Sequence, residues 1–232
     1  MSTLSSKSND LPRALAEVSA SSAGGAPFLA AFGATFLITA LLAFVLPRPT
    51  VALIAMFQGG LALPAALWLE RRLGWRRMSA DNPLRALSVQ LAMSQTLALP
   101  AWIVAYSLNP GVVPLVMAAT GAAHFLPYAW LHRTRLYAVL AGALSLGSFA
   151  LQLTLKAEAF PYVLLFVAGA YWIAAPLVYR HAARLAPRSP EAAPLAASAR
   201  SACALALPTT SAPISQPSAA PRPRGNHCAA IF

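Results

Sequence analysis

Charge is scarce in this chain of 232 residues. Only 10% of the residues are Asp, Glu, Lys or Arg, whereas hydrophobic residues make up 58%. A soluble globular domain carries roughly 25% charged residues, because its surface faces water. Acidic residues are the scarcest, with six Asp and Glu against 17 Lys and Arg. This composition argues against an ordinary soluble fold and favours a membrane protein.

Cysteines and catalytic motifs are also lacking. Both cysteines, Cys203 and Cys228, lie in the C-terminal tail, where a cytoplasmic location disfavours a structural disulfide. The chain has no His-Glu-x-x-His, no phosphate-binding Gly-x-x-x-x-Gly-Lys-Ser/Thr and no paired carboxylates. Leu146-Gly147-Ser148-Phe149 departs from the Gly-x-Ser-Gly of rhomboid-type intramembrane proteases. We therefore predict that the protein is not an enzyme and has no catalytic site, no metal site and no cofactor.

Long apolar runs are what the sequence has in abundance. About 20 apolar residues cross a hydrocarbon core of roughly 30 Å. Short connections such as Pro47-Arg48-Pro49-Thr50 force neighbouring helices into antiparallel hairpins. We predict an all-α transmembrane bundle over residues 26–185, between a disordered N-terminal segment (1–25) and a disordered Ala/Pro/Ser-rich tail (186–232). The six predicted spans are Pro27–Leu46, Val51–Leu69, Leu84–Leu108, Val112–Leu131, Leu136–Leu155 and Phe160–Tyr179.

The basic residues are unevenly distributed about these spans. Only Arg48 and Lys156, among the 17 Lys and Arg, fall on one side. Because cytoplasmic loops are rich in Lys and Arg, the other side is predicted to be cytoplasmic, with both termini there and the chain in the cell inner membrane. The net charge of +11 is thereby explained by topology, and no nucleic-acid partner is predicted. The loop arginines predicted to contact anionic lipid head groups are Arg71, Arg72, Arg76 and Arg77.

A few polar side chains lie deep in the spans, all within roughly 5 Å of the predicted midplane. They are Gln58, Gln95, Thr96, His124 and Ser145. Such a layer is either a binding site for a small solute or a hydrogen-bonded joint between helices, with about 0.6–2 kcal/mol per contact. A functional role is slightly more strongly indicated for His124 than for the other four residues, because the charge of a histidine can change near neutral pH.

Two further patterns bear on packing. In span three, Ser88 and Gln95 share one helix face, whereas Gln90 and Ser94 share nearly the opposite one. We therefore expect span three to be a central helix. Aromatic residues at the predicted inner edge, Tyr137 among them, are interpreted as interfacial anchors.

Several short runs carry a family resemblance. They are Phe32-Gly33-Ala34-Thr35-Phe36 and Ala55-Met56-Phe57-Gln58-Gly59-Gly60, the latter continuing into Trp68-Leu69-Glu70-Arg71-Arg72. With these runs the core resembles small uncharacterised six-span bacterial inner-membrane proteins. The resemblance implies a bacterial cytoplasmic membrane and no known activity.

Two functional hypotheses remain open. In the first, the protein binds or passes a small solute through the layer of Gln58, Gln95 and His124. In the second, it is a non-transporting accessory protein that acts through helix packing and the Arg-rich loop. The expected partners are the lipid bilayer, a small solute, and either a second copy of the chain or another membrane protein.

Overall fold

The chain is all-helical in a computed structural model, which describes the backbone of residues 3–73 and 78–185 and the side chains from residue 11 onward. This confirms the predicted all-α class. The predicted disordered tail lies outside the described residues. The α-helices are α1 (Thr3–Ser21), α2 (Ala26–Leu42), α3 (Arg48–Phe57), α4 (Gly59–Leu73), α5 (Arg85–Ser94), α6 (Leu99–Leu108), α7 (Val113–Leu131), α8 (Leu136–Leu155) and α9 (Ala159–Leu185).

Five segments of the described chain are long and apolar enough to cross a membrane. The last of them is 50 residues long and contains both α8 and α9, joined by the 3-10 turn Lys156–Glu158. These two helices pack along one another. Gly147 of α8 lies so close to the Phe166 ring of α9 that a Cβ there would clash. The five segments are Ala23–Leu42, Arg48–Leu73, Arg85–Leu108, Pro110–Leu131 and Leu136–Leu185.

The turns between helices gather at two ends of the bundle. Arg48, Asn109 and Lys156 line one cavity, so the turns that follow α2, α6 and α8 lie together at what we call the Arg48 end. At the opposite end, the His132 end, Ser19 of α1 meets His132 at the C-terminus of α7. This arrangement agrees with the antiparallel hairpins expected from the short connections.

Helix α9 forms the centre of the bundle. It packs against α1, α2, α7 and α8 and continues through Pro176 without interruption. Its buried face includes Phe160, Val163 and Leu164, which are almost completely shielded. The helix α2 approaches it closely at Gly33, where the Trp172 side chain leaves no room for a Cβ.

Span three lies at the periphery, so the expectation of a central helix is wrong. Helix α5 and the 3-10 turn Gln95–Ala98 bury no residue, and α6 buries only Trp102 and Ala105. One of the four polar residues behind that expectation, Ser94, bonds its own helix, since its hydroxyl donates to the Leu91 carbonyl at 2.7 Å. A polar residue satisfied in this way needs no protein neighbour.

The N-terminal segment is helical, so the prediction of disorder over residues 1–25 is wrong where the structure describes it. In α1, Leu15 and Val18 are buried in a cluster with Leu84 and Leu131. The carboxylate of Glu17 accepts the N–H of Ser79 at 2.6 Å, which fastens the segment before α5 to α1. Leu15 and Val18 stand three positions apart, which is a helical spacing, so both lie on the face of α1 that packs against the other helices.

Candidate functional site

Two of the apolar segments are interrupted near their middles, and each interruption coincides with a predicted polar residue. Gln58 stands between α3 and α4, and Gln95 begins the 3-10 turn between α5 and α6. Pro100 explains the second break, because it has no N–H to donate to the Thr96 carbonyl. The Leu99 N–H bonds that carbonyl instead, in a tighter turn.

Beside this second break, polar groups from three spans meet at a glycine, and we call this place the Gly121 site. Gly121 of α7 is buried. The Nε2 atom of Gln95 and the hydroxyl of Tyr171 each lie 3.8 Å from the point that a Cβ on Gly121 would occupy. Among the described residues, neither group has a hydrogen-bond partner. The missing side chain of Gly121 therefore leaves two unpaired polar groups facing the same small space.

His124 lies three residues after Gly121, on the same face of α7. Its Nδ1 is 3.1 Å from the Ser94 hydroxyl, next to Gln95 in the chain. The imidazole is half-buried and lies 5.0 Å, centroid to centroid, from the Tyr128 ring. Two of the predicted residues, Gln95 and His124, are thus brought to the same junction between span three and α7.

The other three predicted residues form hydrogen bonds elsewhere or lie apart from this junction. Gln58 is buried, and its Oε1 accepts the Thr39 hydroxyl at 3.1 Å, while its Nε2 has no partner within the described chain. Thr96 is exposed and bonds its own helix. Ser145 is half-buried on α8. Within residues 11–73 and 78–185, no hydrogen bond joins any two of the five predicted residues.

Tyr171 was not predicted as a site residue, and the predicted role of Tyr137 is wrong. Tyr171 lies near the middle of the predicted span Phe160–Tyr179, so its depth could have identified it alongside the glutamines. Its ring packs edge-on against Phe36 and Phe125. Tyr137 is no interfacial anchor, since it is 2% exposed and donates to the Gly24 carbonyl at 2.5 Å.

A buried histidine at the His132 end was also not predicted from the sequence. His132 is 2% exposed, its Nδ1 is 3.1 Å from the Ser19 hydroxyl, and its ring stacks on Tyr128. Burial, with a smaller contribution from the neighbouring His181, lowers the pKa of His132 to about 4. His132 is therefore neutral at physiological pH and joins α1 to the end of α7.

Two cavities open at the ends of the bundle. One, of about 440 Å³, lies at the Arg48 end, and the other, of about 510 Å³, adjoins Asn82 and Gln90 at the start of α5. None of the five predicted site residues lines either cavity. In the described segments, no three His, Cys, Asp or Glu residues are grouped so as to hold a metal ion.

The predicted lipid-contacting arginines are described only in part. Arg71 and Arg72 are exposed at the end of α4, and the Arg72 guanidinium lies 5.4 Å from the centroid of the exposed Trp68 ring. Arg76 and Arg77 lie outside the described residues.

A family model matches residues 12–181, which extend from Pro12 in α1 to His181 in α9. The chain belongs to the family of unknown function DUF7010. The expected membership of an uncharacterised family is thereby confirmed. No curated protein and no solved structure matches the chain. The apolar helices fit a membrane protein, and the activity of its family is unknown.

Proposed function

We propose that this protein is a non-enzymatic, multi-pass membrane protein that binds a small polar solute at the Gly121 site. The observation that carries the proposal is the pair of unpaired groups, the Gln95 amide and the Tyr171 hydroxyl, beside the space left by Gly121. A polar group without a partner in a low-dielectric setting costs about 1–3 kcal/mol. A ligand with a donor and an acceptor would remove that cost at both groups.

The contrast with other polar pairs supports a ligand rather than a structural joint. The Thr39 hydroxyl bonds Gln58, and the Trp102 indole N–H donates to the Thr120 hydroxyl at 2.9 Å. In such pairs the two helices bond one another directly. At the Gly121 site the two groups approach a common point without bonding each other, as groups that bind a ligand do.

Access would come from the side of span three. Since α5 and the 3-10 turn Gln95–Ala98 bury no residue, little packing has to be broken to move them. Interrupted helices commonly line solute sites in transporters, because their freed carbonyls are available to a ligand. We infer that span three opens and closes the Gly121 site.

For the topology we propose six crossings, with both termini cytoplasmic in the cell inner membrane. A straight helix of 50 residues would be about 75 Å long, more than twice the hydrocarbon thickness. The break at Lys156 and the packing of α8 on α9 favour two crossings of Leu136–Leu185. A reporter fused after Leu185 tests the orientation. Cytoplasmic activity is expected, and extracytoplasmic activity would overturn the proposal.

Solute uptake into proteoliposomes, against a panel of small polar solutes and ions, tests the function. Tyr171→Phe removes one hydroxyl and Gln95→Ala one amide, and each should weaken uptake about fivefold or more, since one hydrogen bond contributes about 1 kcal/mol. Gln90→Ala is the matched control, because Gln90 is an exposed glutamine on the same span. No uptake by the folded parent, or equal losses in all three variants, would refute the proposal.

A second candidate function is that of an accessory protein that associates in the bilayer through span three. Gln90 is exposed on the surface of this span, where lipid offers no hydrogen-bond partner. A glutamine both donates and accepts, so two copies related by a two-fold axis could pair their Gln90 side chains. The partner favoured by this chemistry is therefore a second copy of the chain.

Cysteine cross-linking in native membranes tests this candidate. In a background carrying Cys203→Ser and Cys228→Ser, Met93→Cys keeps Gln90 and places an exposed thiol three residues after it on the same helix, so it should form disulfide-linked dimers. Leu153→Cys on the exposed side of α8 should not. Cross-linking to a different protein, or equal dimer yields at both positions, would contradict pairing through span three.

A further inference from the structure

The Arg48 end contains a second, separate constellation of polar groups. Arg48 and Lys156 stand 108 positions apart in the sequence, yet both line the cavity of about 440 Å³. They are the only two Lys or Arg residues on their side of the predicted spans. Two like charges gathered at one opening favour an anion there.

Lys156 has an unusual backbone that its neighbours hold in place. Its φ of 48° and ψ of −111° suit glycine rather than a side chain with a Cβ. Its backbone N–H donates to the Gln152 carbonyl, and its own carbonyl accepts from the Gln152 Nε2 at 3.1 Å. Strain of this kind is retained where the position of a side chain matters, so the Lys156 ammonium group is a candidate functional group.

Other groups of the cavity offer both donors and an acceptor. The Asn109 Oδ1 accepts the Gly111 N–H at 2.8 Å, which leaves its amide N–H₂ for a ligand. The Gln152 Oε1 is buried and lacks a partner in the described chain. A ligand that satisfies this oxygen must carry an O–H or N–H group beside its negative charge.

Arg48 is only partly engaged. One of its nitrogens, Nη2, lies 3.2 Å from the Glu158 carboxylate, and both side chains are substantially exposed, at 46% and 73%. An exposed pair of this kind contributes little stability, and a guanidinium has five N–H donors. An incoming anion can therefore bind beside Glu158 or replace its carboxylate.

We propose that this cavity binds a small anion that also carries a hydrogen-bond donor, such as a hydrogen phosphate group. Arg48 and Lys156 would hold the charge, the Asn109 amide would donate, and the Gln152 Oε1 would accept. A cavity of this size suits a small molecule. The same chemistry is present in a soluble phosphate and in the glycerol phosphate head group of a lipid. The proposal is independent of the Gly121 site, which lies in other parts of the helices.

The test uses the full chain in nanodiscs of phosphatidylcholine, titrated with inorganic phosphate at constant ionic strength and followed by calorimetry. Saturable binding is expected, and Arg48→Gln or Lys156→Gln should weaken it about ten- to a hundredfold. Arg184→Gln, an exposed arginine of α9, is the matched control and should bind like the parent.

Lys156→Gly separates loss of the site from loss of the fold. Glycine relieves the backbone strain, so this variant should melt at or above the parent temperature and still lose phosphate binding. The titration is then repeated in nanodiscs that contain phosphatidylglycerol. If the head group is the natural ligand, it will compete and raise the apparent Kd for phosphate. If the natural ligand is a soluble anion, the Kd will stay unchanged. Absence of saturable binding in the parent, or binding retained in both Arg48→Gln and Lys156→Gln, would overturn the proposal.

Discussion

Helix α9 and span three differ in almost every respect, although both are apolar segments long enough to cross a membrane. Helix α9 runs unbroken for 27 residues and packs against four other helices, whereas span three is interrupted and none of its most apolar stretch is buried. Both contain proline, at Pro176 and Pro100. The packing around a span, rather than its proline, decides whether it stays rigid.

This difference assigns separate roles to the two segments. Close packing around α9 supplies the rigid frame, including Tyr171, which is held edge-on between Phe36 and Phe125. Span three brings Gln95 to the same place from a helix with few neighbours. In the proposed function, α9 would be the fixed wall of the solute site and span three the movable one, so that a solute could enter and be enclosed.

The largest expected effect comes from truncating the core of α9. Leu164 is completely buried, so Leu164→Ala should lower the free energy of unfolding by about 2–5 kcal/mol through the cavity it leaves. Leu97 on span three is 80% exposed, and Leu97→Ala should change the free energy of unfolding by less than about 0.5 kcal/mol. Thermal unfolding in detergent measures both. Similar losses at the two positions would remove the distinction between the segments.

The next effect concerns pH at the end where α1, α7 and α9 meet. Because burial lowers the pKa of His132 to about 4, the unfolded chain takes up a proton near pH 6.5 that the folded chain does not. Stability should therefore fall as the pH drops from about 6.5 to about 4, by on the order of 3 kcal/mol in total.

His132→Phe keeps an aromatic ring in this position and removes the titrating group. Its melting temperature should depend less on pH across the same window than that of the parent. Equal pH dependence in the two proteins would assign the effect to other groups and contradict the burial argument.

A smaller effect is expected at the joint between α1 and α2. Gly24 has a φ of 66°, and a Cβ there would stand 2.8 Å from the Val178 carbonyl oxygen of α9. Gly24→Ala should cost about 1–3 kcal/mol, from the left-handed backbone and the close approach to α9. Gly142→Ala is the control, since a Cβ on this α8 residue would meet nothing within 4 Å. A stable Gly24→Ala protein would show that α9 is less tightly enclosed than described.

The smallest effect should appear where α1 holds the start of span three. Glu17 accepts hydrogen bonds from Ser79 and Asn82, and Glu17→Gln should weaken this attachment by about 1 kcal/mol. Hydrogen exchange should then rise in residues 85–98 and stay unchanged in α9. A uniform rise along the chain would mean that Glu17 supports the whole bundle.

The sequence predicted the helical class, because long apolar runs with few charges favour membrane helices. It also singled out Gln95 and His124, which the structure brings to one junction between span three and α7, and their depth in the membrane stays a prediction. It could not predict that Gln58 pairs with Thr39, or that Tyr171 reaches Gly121, since these contacts depend on how helices are arranged around α9. Span three was misjudged in part because the Ser94 hydroxyl bonds its own backbone, which a helical projection does not reveal.

The most direct test of a solute site behind span three is the water accessibility of single cysteines in native membranes. The variants Gln95→Cys, Leu97→Cys and Val167→Cys, each in the Cys203→Ser and Cys228→Ser background, would be treated with a small maleimide that reacts only with hydrated thiols. We predict rapid labelling at position 95, and slow labelling at the outward-facing position 97 and the buried position 167. Equally slow labelling at all three positions would contradict the account, because it would leave the Gly121 site without access to water.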